Sequence, residues 1–149
     1  MTRYLVVCLG NICRSPIGEG WIRRVAMVRG LRVKVDSAGT SGYHVGDPPD
    51  RRSVDTMRAI DIDISGQRSR KFVRADFQKF DRILVMDRAN LSDVLALARS
   101  EDERDKVALF DPSGAEVPDP YYGGEDGFAL VRKQVREAAE AQLAADFPS

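Results

Sequence analysis

Two apolar runs of strand length stand out along the chain. Arg3 to Leu9 is nearly continuous in apolar residues, as a strand covered on both faces requires, and Asp81 to Asp87 (DRILVMD) repeats the pattern. Leu31 to Asp36 alternates apolar with charged residues, which fits an edge strand, and Lys106 to Phe110 is a shorter candidate strand. Helical patterns fill the intervals. Ser15-Pro16 reads as a helix start, with the hydroxyl at the cap and Pro at the first helical position, and this helix should run to about Val28 and stop at Gly30. Gly18 and Gly20 inside it each cost about 1 kcal/mol relative to Ala, so they call for a local reason such as close packing. Asp50 can cap a helix to about Ile60, with Val54 and Met57 facing inward. Leu91, Val94, Leu95 and Ala98 mark another helix, and Phe128, Val131, Val135 and Ala139 a last one over about Glu125 to Asp146. Ser37 to Pro49, rich in Gly, Ser and Pro, is expected to be a loop.

Strands alternating with helices predict an α/β fold: a three-layer sandwich in which a four-stranded parallel sheet is flanked by helices through right-handed crossovers. At 149 residues, the span 1–149 is expected to form a single domain without linker or repeat. Lys plus Arg and Asp plus Glu balance at 23 each, so no nucleic-acid surface is expected. Leu5 to Leu9 is too short for a membrane span or a signal-peptide core, and a cytoplasmic location without membrane association is expected.

Two cysteines, Cys8 and Cys13, and one histidine, His44, leave little material for a metal site, so neither a metal nor a cofactor is expected. Chemistry must come from cysteine, arginine and carboxylates. The stretch Cys8-Leu9-Gly10-Asn11-Ile12-Cys13-Arg14-Ser15-Pro16 supplies two of the three. A Cys and an Arg six positions apart let a loop curl around a tetrahedral oxyanion, with backbone N–H groups and the start of the next helix pointing inward. Arg14 can grip two oxygens at once, and a thiolate is favoured beside Arg at a helix N-terminus. The spacing alone is weak: with 2 cysteines and 18 arginines in the chain, an accidental match has a chance of roughly one in four. Context strengthens it. The Cys follows the first strand, where open α/β sheets bind ligands, and Gly10 and Asn11 tolerate left-handed backbone angles. The loop lacks the G-x-x-x-x-G-K-[ST] pattern of nucleotide binding. Asp119, between Pro118 and Pro120, offers an acid, although an Asp-Pro taken alone is more often a turn.

CLGNICRSP at the first strand, DSAGTSGYHVGDPPD after the second, FDRILVMDRANL at the third and PDPYYG near the end resemble the low-molecular-weight protein tyrosine phosphatase family, in order and over essentially the whole chain. The resemblance implies a protein tyrosine phosphatase that hydrolyses phosphotyrosine and small aryl phosphates through a cysteinyl-phosphate. It implies Cys8 as nucleophile, Arg14 and the loop amides of Leu9, Gly10, Asn11, Ile12 and Cys13 as the phosphate cradle, and Asp119 as acid and then base. Ser15 lends its hydroxyl to the sulfur, Asn11 locks the loop with Ser37 as a partner, and Tyr43, Tyr121 and Tyr122 wall the crevice for an aryl ring. Partners implied are tyrosine-phosphorylated proteins, with inorganic phosphate as product inhibitor, acting on a monomer.

Three features qualify this resemblance. Gln67 stands where many relatives have a His that buttresses the loop through Asn11, Gly18 and Gly20 replace small helix-forming residues, and Ile12 resembles the tyrosine-specific members, the arginine-phosphatase branch typically carrying Thr. Cys13 has two readings: a small apolar residue packed below the loop, or, as the family pairs the two, a resolving thiol that traps oxidised Cys8 as a disulfide. Arsenate reductase, built on the same fold and loop, is disfavoured because no Cys follows Cys13. A non-catalytic phosphate-binding module is disfavoured because nucleophile, Arg and acid are all present.

Overall fold

Strand β1 (Thr2–Cys8) organises the fold because its side chains enter the core from both faces. The computed structural model describes residues 1–148. After β1 come α1 (Arg14–Arg29), β2 (Val33–Gly39), α2 (Arg51–Arg58), α3 (Asp76–Lys79), β3 (Arg82–Val85), α4 (Arg88–Leu95), α5 (Glu101–Asp105), β4 (Val107–Leu109) and α6 (Glu125–Asp146). The four strands form one parallel sheet in the order β2-β1-β3-β4, with Val6 opposite Ser37 on one side and Leu84 on the other.

Alternation along the central strands divides the core into two. Tyr4, Val6 and Cys8 of β1 and Leu84 of β3 face one layer, where Ile17 and Ile22 of α1, Met57 of α2, and Val131, Val135 and Leu143 of α6 bury them. Leu5, Val7, Ile83 and Val85 face the other layer, against Phe72, Phe77, Phe80 and Val94. Each such fully buried side chain contributes about 1.5–3 kcal/mol, and the three-layer α/β sandwich expected from the alternation is present.

Gly18 and Gly20 have the packing reason that the pattern called for. A Cβ on Gly18 would lie 2.9 Å from Val6 Cγ1 and from Met86 Cε, and one on Gly20 would lie 2.9 Å from Ile64 Cγ2. The glycines let α1 settle close against the sheet and against the segment after α2. Gly30 takes φ 68° as the left-handed C-cap and terminates α1, where the sequence placed the stop.

Several boundaries differ from expectation. Helix α1 starts two residues earlier, with Cys13 as N-cap and without a side-chain cap bond, so Ser15 is not the cap. Its hydroxyl is turned instead toward Cys8 and Asn11. Pro16 falls within the first turn, where its missing N–H costs nothing. Strand β2 runs through Ser37 to Gly39, into what composition assigned to a loop: pairing with Val6, Val7 and Cys8 holds these small residues extended. The short helices α3 and α5 carry too few periodic positions to be recognised from the pattern.

The N-terminal ends of the strands are closed by a polar cluster. Asp146, at the end of α6, accepts hydrogen bonds from the Tyr4 hydroxyl at 2.5 Å, Arg82 at 2.7 Å and Gln142 at 3.3 Å. Burial, then the Asp146 contact, pushes the Tyr4 phenol well above its ordinary range.

Candidate active site

At the opposite, C-terminal ends of β1 and β3, the segment from Cys8 to Arg14 curls back on itself before α1 begins. Asn11 makes the turn possible with φ 57°, a left-handed angle that Asn adopts more readily than most residues with a side chain. Its amide is fully used: Nδ2 donates to Ser15 Oγ at 2.7 Å and to Ser37 Oγ at 2.9 Å, while Oδ1 accepts from the Arg70 backbone N–H at 3.0 Å. The backbone N–H groups of Gly10, Asn11, Ile12 and Cys13 have no backbone acceptor among the described residues. Ser15 Oγ lies 3.0 Å from Cys8 Sγ. Since Ser15 already accepts from Asn11, its own hydrogen is free to point at the sulfur, and the Ser15 backbone N–H approaches the same sulfur at 3.4 Å.

Arg14, buried to 2% exposure, lies within a ring of acceptors. One terminal nitrogen donates to Asp87 at 2.6 Å and to the Val117 carbonyl at 2.9 Å; the other lies 3.7 Å from Asp119, too far for a hydrogen bond. Burial opposes the guanidinium charge, but the Cys8 sulfur, Asp87 and Asp119 outweigh it and hold the group above its ordinary value. Asp87 is itself fixed as the N-cap of α4, accepting from the Asn90 N–H at 2.8 Å. Asp119 follows Val117, which is fully buried and donates to Met86 O, so the acid begins from an anchored point.

Cys8, Arg14 and Asp119 line one cavity of about 240 Å³. Cys8, Leu9, Gly10, Ile12, Cys13 and Arg14 form its floor and lower wall, and Asp119, Tyr43, Tyr121 and Tyr122 its upper wall, with Ser41 and His44. Asn11, Ser15 and Ser37 stand behind the floor and brace it. Tyr121 is the better-packed wall: the Tyr122 ring meets it edge-on at 5.0 Å, and the Arg52 guanidinium lies 5.6 Å from its ring centre. Tyr43 and Tyr122 are almost wholly exposed at the lip.

Cys13 is free and buried, packed with Ile12 and Phe128. Burial, then the Asp50 charge, pushes its thiol well above the usual range. Gln67 does not reach Asn11 by a hydrogen bond; its Nε2 donates to Pro16 O at 3.1 Å and so braces the first turn of α1 instead. The residue that supports Asn11 is Arg70, held by Asp36 and by the buried Asp76. Sequence reasoning also missed Asp87, Ser41 and His44 as site residues. Asp87 had a signal, its place at the end of the third strand; Arg70 acts through a backbone N–H and had none.

The model of the low molecular weight phosphotyrosine protein phosphatase family matches residues 3–147. The human low molecular weight phosphotyrosine protein phosphatase is 39% identical over 149 residues, covering 93% of this chain and 92% of the human protein. A protein tyrosine phosphatase from Entamoeba histolytica, solved with Hepes in its active site, superposes with a TM-score of 0.91 at 34% identity, covering 98% of this chain and 97% of that one. Wzb from Vibrio vulnificus, solved in complex with benzylphosphonate, gives a TM-score of 0.88 at 28% identity over 97% of this chain and 98% of its own. The chain belongs to the low molecular weight phosphotyrosine protein phosphatase family, an enzyme family of tyrosine phosphatases.

Proposed function

We propose that the protein hydrolyses phosphotyrosine in proteins, and small aryl phosphates, through a cysteinyl-phosphate. Cys8 Sγ attacks phosphorus in line with the aryl oxygen: the S–P bond forms, the P–O bond breaks, and Asp119 gives its proton to the departing phenolate. The loop amides and Arg14 take up the charge of the equatorial oxygens as it redistributes. A water then attacks phosphorus, passes a proton to Asp119, and the S–P bond breaks with inorganic phosphate as product. The Ser15 hydroxyl, 3.0 Å from the sulfur, stabilises it as leaving group. Tyr121 and its neighbours grip the ring of the substrate, and released phosphate competes with substrate for the same loop. The chain 1–149 acts as one domain and as a monomer, in the cytoplasm, without metal or cofactor. Cys13 serves as resolving thiol for an oxidised Cys8.

The observation that carries this reading is the convergence of Cys8, Arg14 and Asp119 on one cavity although Asp119 lies far from the other two in sequence. Release of phosphate from p-nitrophenyl phosphate in EDTA, by the parent protein and by Cys8→Ser, tests it. EDTA-resistant turnover in the parent and none above background in Cys8→Ser is expected. Turnover that persists in Cys8→Ser, or that needs added metal, overturns it.

A further inference from the structure

We infer that Arg52 is a positioning residue for the acid: from α2 it fixes the loop carrying Asp119 relative to the phosphate loop. The inference rests on the assignment of Asp119 as proton donor to the leaving group.

The guanidinium of Arg52 is gripped on three sides. Its Nε and one terminal nitrogen bind the two oxygens of Asp50, both at 3.0 Å, in a planar fork. The remaining donors reach across to the acid loop, to Tyr121 O at 2.8 Å and Gly123 O at 2.9 Å. The Phe128 ring packs beneath at 4.4 Å from the guanidinium carbon, and Phe128 itself packs on Ile12 and Cys13 of the phosphate loop. Among the described residues, Arg52 is the only side chain from outside residues 118–124 that hydrogen-bonds their backbone. Val117 anchors the upstream end of that segment in the core, so Arg52 supplies the downstream anchor, next to Gly123 and Gly124, which by themselves hold no shape.

Both ends of the link lead to reacting groups. The Asp50 N–H donates to Ile12 O at 2.7 Å, tying α2 to the phosphate loop. The Tyr121 N–H donates to Asp119 Oδ1 at 3.0 Å, so the residue whose carbonyl Arg52 holds also orients the acid. Asp50 sits below its usual carboxylate range: burial raises it, and the bonds from Arg52 outweigh that. A lysine could replace the charge but not the fork, the two carbonyl bonds and the stacking together. An ordinary stabilising ion pair would not need donors aimed at the backbone beside a catalytic acid.

Acid positioning has a readout that simple stability lacks. A phenolate that is a good leaving group needs little protonation, whereas a poor one depends on a correctly placed acid. kcat/KM is measured with p-nitrophenyl phosphate and with phenyl phosphate for the parent, Arg52→Gln, Arg52→Lys and Asp119→Asn, alongside melting temperatures. Arg52→Gln is expected to lose about tenfold more on phenyl phosphate than on p-nitrophenyl phosphate. Arg52→Lys should show the same selectivity in reduced size and serves if Arg52→Gln does not fold. Equal losses on both substrates in the Arg52 variants, with selective loss in Asp119→Asn, overturn the positioning role alone. Equal losses in Asp119→Asn overturn the acid assignment itself, and this inference with it.

Discussion

The two ends of the sheet carry similar residues put to different use. At the N-terminal ends of the strands, Asp146 is saturated: Tyr4, Arg82 and Gln142 all donate to it, and the cluster ties α6 to β1 and β3. At the C-terminal ends, Arg14 is bound to Asp87 and Val117 O through one nitrogen, while its other stands 3.7 Å from Asp119. Arginine, carboxylate and buried hydroxyl occur in both places. A polar cluster whose donors and acceptors are all matched stabilises; one that holds its charges in place with capacity left over can receive a ligand. The lower cluster therefore reads as a clasp and the upper one as a site.

Replacing a member at each end separates the two roles. Arg14→Ala should give the largest effect, a fall in kcat/KM of about a thousandfold or more, since the phosphate loses its charged clamp. Its melting temperature should change far less than its activity, because an unpaired Asp87 can still cap α4; steady-state kinetics and thermal unfolding on one preparation check both. A proportionate loss of stability would mean that the upper cluster is also a clasp.

Asp146→Ala should reverse the ratio. Leaving the Tyr4 hydroxyl and Arg82 without their acceptor should cost about 2–3 kcal/mol of stability, near 5–10 °C in Tm for a chain of this size. The kcat/KM of the remaining folded protein should stay within about twofold of the parent. Denaturant unfolding and p-nitrophenyl phosphate kinetics provide the comparison.

A smaller effect follows from Tyr4. Its phenol is raised in the folded state, so in the unfolded chain, where it titrates near 10, it ionises first. Its protonated form supports the fold below that value, and the support is lost as pH rises through and beyond it. Tyr4→Phe removes the linkage: this variant should be less stable than the parent at neutral pH, with the gap narrowing between about pH 9 and 11. Unfolding curves across that interval that keep a constant gap would place the alkaline sensitivity elsewhere.

How much of this could be read from the sequence depends on how local each feature is. Cys8 and Arg14 belong to one turn, and Gly10, Asn11, Ser15 and Pro16 lie between or beside them, so the loop was legible as a motif. The apolar runs at β1 and β3 and the stripe of Phe128, Val131, Val135 and Ala139 were legible for the same reason, since each is a periodicity within one segment. Ser37 to Gly39 was not, because small polar residues become a strand only beside β1. Ser15 was misplaced as a cap because a hydroxyl before a helix has two uses, and only the approach of Asn11 and Cys8 chooses between them.

The sequence on its own carried the layered α/β plan and the Cys8–Arg14 loop, and through family resemblance it pointed to Asp119. The tertiary structure alone decided that Asp87 and Val117 would hold Arg14, that Arg70 would support Asn11 through its backbone, and that Arg52 would tie Tyr121 and Gly123 to Asp50. The physical reason is the sheet order. Bringing β1 between β2 and β3 closes large separations along the chain at one end of the strands, and contacts across such separations leave no period in the residues that make them.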